Sequence, residues 1–149
     1  MIAGESKMND LYGNMILDLA SGMDSKMSLL SSYVYYIITS QDKNLVKLLK
    51  KLYHHEQKHL FLLLSLASQL GVDPRLWHSH HDQNEYWSPS YVNYYQSTNM
   101  ISKDLIDRKI KLIKKYKYQI TRIQDSFIQS YIRRLIKEEL HSISLLKNM

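Results

Sequence analysis

The chain has 149 residues, of which 44% are hydrophobic and 23% charged, and its formal net charge is +6. This length and composition are typical of one globular domain with its own core. The absence of cysteine excludes disulfides, thiolate metal sites and cysteine nucleophiles. Because no apolar run reaches the roughly 18 residues of a membrane span, and the first residues lack the apolar core of a signal peptide, we expect a cytoplasmic protein that does not bind membranes.

Four long helices are predicted from the spacing of apolar residues. Glycine and proline are scarce, with four and two copies, which favours helices over a turn-rich β fold. After a loose leader at residues 1–12, apolar residues recur at steps of three and four, the pattern of a helix packed in a bundle. The predicted helices lie at about 14–39, 42–70, 100–123 and 126–147, and Gly71 with Pro74 ends the second.

A long connection at residues 71–98 separates the second and third helices. It is rich in aromatic residues and contains His78, His80 and His81. Such a histidine tract can bind Zn or Ni, although a solvated loop is the simpler interpretation. One long crossover allows two helices of a bundle to run parallel. The expected fold is therefore an all-α four-helix bundle with one crossover between helices two and three, in a single domain of residues 1–149.

One short motif occurs twice at core positions of the predicted helices. It is Glu-x-x-His, with Glu56 and His59 in the second helix and Glu138 and His141 in the fourth. Residues three apart share a helix face, so each copy presents a carboxylate and an imidazole side by side. Two such helices, with one Glu from each of the other two, form the ligand set of a di-iron or di-manganese site.

The other two helices have lysine where that ligand set requires glutamate. Lys26 and Lys109 both fall in the apolar register of their helices, and each precedes a tyrosine by seven residues, Tyr33 and Tyr116. The two halves of the chain therefore match as an internal helix-hairpin repeat.

This pattern resembles the small rubrerythrin-like branch of the ferritin-like superfamily, and the stretch 86–94 resembles the crossover of such proteins from Firmicutes. In that branch Glu-x6-Tyr lies on helices one and three, and Glu-x-x-His on helices two and four. The resemblance implies a ferritin-like bundle, a di-metal carboxylate site with Tyr33 and Tyr116 beside it, and a homodimer. At positions 26 and 109 this sequence departs from the family, since both glutamates are replaced by lysine.

The replacement decides the main functional prediction. A protonated ammonium group has three donors and no acceptor, so it cannot ligate a metal. We predict that Lys26 and Lys109 form buried ion pairs with Glu56 and Glu138, whose charges sum to zero, as do those of four carboxylates and two divalent metals. The protein would then be a non-catalytic bundle with a degenerate di-metal site and no cofactor.

Two other functions remain open from the sequence. Glu56, His59, Glu138 and His141 alone offer two carboxylates and two imidazoles, a set that suits Zn, Fe or Mn. The chain would then be a metal-binding oxidoreductase of the rubrerythrin or manganese-catalase type, acting on peroxide.

The second alternative is a basic bundle that binds polyanions. Lysines crowd the third helix at positions 111, 114, 115 and 117, and a basic stripe attracts phosphate groups without sequence preference. Because no nucleic-acid-reading module is visible, nucleic acid is not the expected partner, and the sequence identifies no protein partner.

Overall fold

The computed structural model describes residues 9–80 and 82–149. Most of the predicted leader, residues 1–8, and His81 of the histidine tract lie outside the described residues. Residues 10–12 of that leader form the first turn of a helix instead. Within the described ranges, no helix combines the length and the apolar character that crossing a membrane requires.

The predicted all-α four-helix bundle is confirmed. Its helices are α1 (Asp10–Ser21), α2 (Lys26–Thr39), α3 (Lys43–Gln69), α4 (Thr98–Arg122) and α5 (Ser126–Lys147). The bundle has four arms: the first is α1 with α2, and the others are α3, α4 and α5. Both α1 and α2 pack along α3, and α4 packs against α5. Each helix begins at a residue whose side chain accepts a hydrogen bond from the backbone N–H three residues later; these residues are Asn9, Ser25, Asp42, Ser97 and Asp125.

The prediction of one continuous first helix at 14–39 is wrong, because the chain breaks between α1 and α2. The N–H of Gly22 donates to the carbonyl of Asp18, 2.9 Å away, and a Cβ atom at Gly22 would lie only 2.6 Å from that carbonyl oxygen. Glycine permits this close return of the chain, and Ser25 then caps a new helix. As a result, Lys26 is the first residue of α2 and is fully buried.

The predicted crossover is more regular than the sequence indicated. It contains an antiparallel hairpin of β1 (Trp77–His80) and β2 (Gln83–Tyr86) and a 3-10 turn at Pro89–Tyr91. Hydrogen bonds fix it to the first arm, from Ser21 Oγ to the Trp77 carbonyl at 2.6 Å and from Trp87 Nε1 to Ser28 Oγ at 2.9 Å. His78 is buried, with Nε2 3.0 Å from the Tyr91 hydroxyl, so it packs within the crossover.

The break in the first arm is held by a lysine of the opposite arm. Lys115 Nζ donates to the carbonyls of Asp18 at 3.2 Å and Asp24 at 2.7 Å, and lies 3.0 Å from Asp18 Oδ2. Lys115 is therefore not part of a purely solvated basic face, whereas its neighbour Lys114 is exposed.

We expect Lys115→Met to lower the free energy of unfolding by about 1–3 kcal/mol, because two carbonyls lose a charged donor. Lys114→Met removes the same charge without these contacts and should change it by less than about 0.5 kcal/mol. Urea denaturation of both variants measures the difference. Equal losses in the two variants would mean that Lys115 does not stabilise the break.

Candidate functional site

Four charged side chains, one from each arm of the bundle, meet at its centre. They are Lys26 of α2, Glu56 of α3, Lys109 of α4 and Glu139 of α5, and none is more than 2% exposed. We call this cluster the charge ring.

Each ammonium group in the charge ring contacts both carboxylates. Lys26 Nζ lies 2.7 Å from Glu56 Oε2 and 2.5 Å from Glu139 Oε2. Lys109 Nζ lies 2.9 Å from Glu139 Oε1 and 3.3 Å from Glu56 Oε1. All four carboxylate oxygens therefore accept a hydrogen bond from a lysine, and positive and negative groups alternate around the ring.

The ring keeps both lysines and Glu56 ionised. Burial by itself favours the neutral forms, but the carboxylates of Glu139 and Glu56 outweigh it and raise the pKa of both lysines well above the ordinary value. Burial would likewise raise the pKa of Glu56, yet the charges of Lys109 and Lys26 lower it to about 2. The formal charges cancel, which offsets the large penalty for placing single charges in a protein interior.

The predicted ion-pair partner Glu138 is wrong, since Glu139 takes that place. On α5 the buried line runs through Ile128, Ile132, Leu135, Glu139 and Leu146. The predicted line passed through Tyr131, Glu138 and Leu145, each of which directly precedes a residue of the buried line. All three are only half-buried. Ile128, Ile132 and Leu135 share the face of Glu139, so burying these three apolar side chains turns Glu139 inward.

The two Glu-x-x-His copies in the sequence therefore do not both lie at the centre of the bundle. Glu56 and His59 are both buried at the centre, whereas His141 is exposed. The residue three after Glu139 is Ser142, which is buried and donates a hydrogen bond to the Glu138 carbonyl at 3.1 Å. The structure therefore pairs Glu56-x-x-His59 with Glu139-x-x-Ser142, and the spacing of Ile128, Ile132 and Leu135 is the sequence signal that could have found this.

His59 adjoins the charge ring as a neutral imidazole. Its Nδ1 lies 3.1 Å from Lys26 Nζ, and its Nε2 lies 2.5 Å from Glu138 Oε2. Burial and the charge of Lys26 lower the pKa of His59 to about 3. Because an ammonium can only donate, Nδ1 must accept and the single ring proton must be on Nε2, facing Glu138.

Tyr33 and Tyr116 are both fully buried next to the ring, in a crossed arrangement. Lys109 Nζ lies 5.3 Å from the centroid of the Tyr33 ring, and Lys26 Nζ lies 6.0 Å from that of Tyr116. Such contacts between cation and aromatic face stabilise a desolvated ammonium. Within the described residues neither hydroxyl has a hydrogen-bond partner, and burial raises the pKa of both phenols.

The side chains at the centre do not fit a di-metal carboxylate centre. That centre needs a carboxylate on each of four helices and two imidazoles, whereas here two arms supply ammonium groups and α5 supplies Ser142 as its second residue. In residues 9–80 and 82–149 no three or more histidine, aspartate and glutamate side chains are grouped so that they could hold a metal ion.

Comparison with solved structures identifies the fold of this chain. No family model and no curated protein matches the sequence. Two crystal structures of KatB, a manganese catalase from Anabaena, superpose with TM-scores of 0.89 and 0.87. The fold is ferritin-like. Each alignment covers 98% of this chain and 74% of the catalase chain, at 14% and 13% sequence identity, so the likeness extends to the path of the backbone and not to the side chains.

We expect Lys109→Met to lower the free energy of unfolding by about 3–5 kcal/mol, because it leaves a net negative charge buried in the ring. Adding Glu139→Gln restores neutrality and should recover a large part of the loss. Chemical denaturation measures both variants, with the exposed Lys111→Met as the control. A double variant less stable than Lys109→Met would contradict the role of charge balance.

Stability should fall as the pH is lowered from about 6.5, and His59 is the first cause. Its folded-state pKa of about 3 lies below the ordinary 6.5, so between these values the unfolded chain binds one proton more than the folded chain. The free energy of unfolding then falls by about 1.4 kcal/mol per pH unit. Glu56, with its pKa lowered from 4.5 to about 2, adds a second loss below pH 4.5.

His59→Gln should remove the loss between pH 6.5 and 4.5, because the Gln amide oxygen can still accept from Lys26 but does not titrate. His141→Gln, at an exposed position, should leave the pH profile unchanged. Denaturation midpoints from pH 7.5 to 4.5 test this, and equal profiles for wild type and His59→Gln would refute it.

Proposed function

We propose that this protein is a non-catalytic ferritin-like bundle in which Lys26 and Lys109 replace the two metal ions of a di-metal centre. The observation that carries the proposal is the closed charge ring, in which two ammonium groups occupy all four carboxylate oxygens of Glu56 and Glu139. Its net charge is the same as that of two divalent metals with four carboxylates.

The donor chemistry supports the same conclusion. Both lysines have a raised pKa, so at neutral pH they are protonated and have no lone pair to offer a metal. His59 turns Nδ1 toward the centre, but that nitrogen accepts from Lys26 Nζ at 3.1 Å and so has no free lone pair for a metal. A metal at the centre would therefore have to displace protons from several groups at once, in a site that also repels cations.

A bundle of this kind acts through its surfaces. The charge ring fixes the relative position of all four arms without a cofactor, and the first arm and crossover are bonded together around it. We propose a binding or structural role, with the protein as a homodimer as the family resemblance implies. Light scattering of the purified chain measures the oligomeric state.

A metal-dependent oxidoreductase acting on peroxide is the second candidate. It is favoured by the superposition on manganese catalase over 98% of this chain. It requires Fe or Mn to be held by Glu56 and His59 with groups of α5, and it predicts peroxide consumption by metal-loaded protein.

We expect less than about 0.1 Fe or Mn per chain in untagged protein from cells supplied with both metals, because protonated lysines exclude ligation. Mass spectrometry of the purified protein measures this. One or two metals per chain, together with peroxide turnover, would overturn the proposal in favour of the second candidate.

Lys26→Glu with Lys109→Glu and Ser142→His should complete the family ligand set and gain metal. The matched control is Lys111→Glu with Lys114→Glu and His141→Ser, which changes the charge equally at exposed positions and should gain none. If the first variant folds, as judged by circular dichroism, and still binds no metal, the assignment of these positions to the family ligands is wrong.

A further inference from the structure

An open cleft separates α3 from α5 on the outside of the charge ring. It consists of two adjoining cavities of about 730 and 370 Å³ that share Arg134 and Lys137 in their lining. Both volumes are in the range of small-molecule sites. Along α5 the lining extends from Phe127 to Leu145, roughly 27 Å at 1.5 Å per residue, so the cleft suits an elongated ligand.

The walls of the larger cavity are mainly apolar. Leu62 of α3 and Phe127 and Tyr131 of α5 line it, and all three are half-buried. A hydrocarbon chain lying against them would remove apolar surface of both partners from water, which stabilises binding in proportion to the area covered.

The charged groups of the cleft are mostly basic and lack partners. Lys51, Arg133, Arg134 and Lys137 line it and are exposed, and none of them has an ion-pair partner in the described part of the chain. Of the two carboxylates in the lining, Glu56 is neutralised by the lysines of the ring, so Glu138 is the one acidic group set against these four basic side chains. The cleft therefore has an excess of positive charge.

Arg134 and Lys137 lie where the two cavities meet, which places two cations at the end of the apolar wall. Arg134 also lies over the ring of Tyr131, 6.0 Å from its centroid, so its guanidinium is positioned next to the apolar surface. A planar guanidinium forms paired hydrogen bonds with carboxylate or phosphate oxygens.

We propose that the α3–α5 cleft binds a monomeric anionic amphiphile, a single hydrocarbon chain with a carboxylate or phosphate head group. The head group contacts Arg134 and Lys137, and the chain lies along Leu62, Phe127 and Tyr131. The residues that contact the ligand lie outside the charge ring, so the proposal does not rest on the proposed function of the bundle centre.

Isothermal titration calorimetry of the full chain with decanoate and with decyl phosphate, each below its micelle concentration, tests the site. We expect one molecule to bind per chain, and the preferred head group is whichever compound binds more tightly. Decanol and acetate should both bind at least tenfold more weakly, since each lacks one half of the ligand. Equal binding of decanol or of acetate, or no binding of either anionic amphiphile, would overturn the proposal.

Variants then locate the ligand. Arg134→Gln with Lys137→Gln should weaken binding at least tenfold, and Phe127→Ala should weaken it severalfold. The matched control, Lys111→Gln with Lys114→Gln on α4, removes the same charge outside the cleft and should not change the affinity. Equal weakening by the control would show nonspecific attraction and overturn the proposal, as would binding to phosphatidylglycerol vesicles without binding to the monomeric amphiphiles.

Discussion

The neutral charge ring is the constraint on which the rest of this structure depends. Four ionised groups at the centre of a bundle are tolerated only if each is paired, since an unpaired buried charge destabilises by several kcal/mol. The pairing requires Lys26, Glu56, Lys109 and Glu139 to meet within hydrogen-bond distance. Because each comes from a different arm, satisfying the ring fixes the relative rotation and height of all four arms at once.

Several features of the fold serve that arrangement. The break after Gly22 starts a new helix at Lys26 and so brings this side chain into the core. Lys115 bonds to both sides of the break from the opposite arm. The rings of Tyr33 and Tyr116 each place an aromatic face near one ammonium group, which a desolvated cation tolerates better than an aliphatic wall.

A ferritin-like fold does not by itself imply metal chemistry. The backbone follows that of a manganese catalase closely over 98% of this chain, while the centre of this bundle holds two lysines and two glutamates. Function belongs to sites placed on folds, and the side chains at this centre pair two ammonium groups with two carboxylates. The α3–α5 cleft, with its basic side chains and apolar wall, is the place where we propose that a ligand binds.

The sequence by itself determined three of the four arms, the position of the crossover and four residues of the centre. Steps of three and four between apolar residues mark three of the four arms to within two residues, because burial of one helix face imposes that period. The same register placed Lys26, Glu56, His59 and Lys109 in the core, and the structure buries all four.

Only the tertiary structure decided between Glu138 and Glu139, and between one first helix and two. Adjacent residues on a helix are 100° apart, so either glutamate could face inward until the isoleucines of α5 were packed against the other arms. The break at Gly22 depends on how closely the chain returns to Asp18 and on Lys115, which is distant in sequence. Contacts between residues far apart in the chain settle such choices, and local periodicity does not contain them.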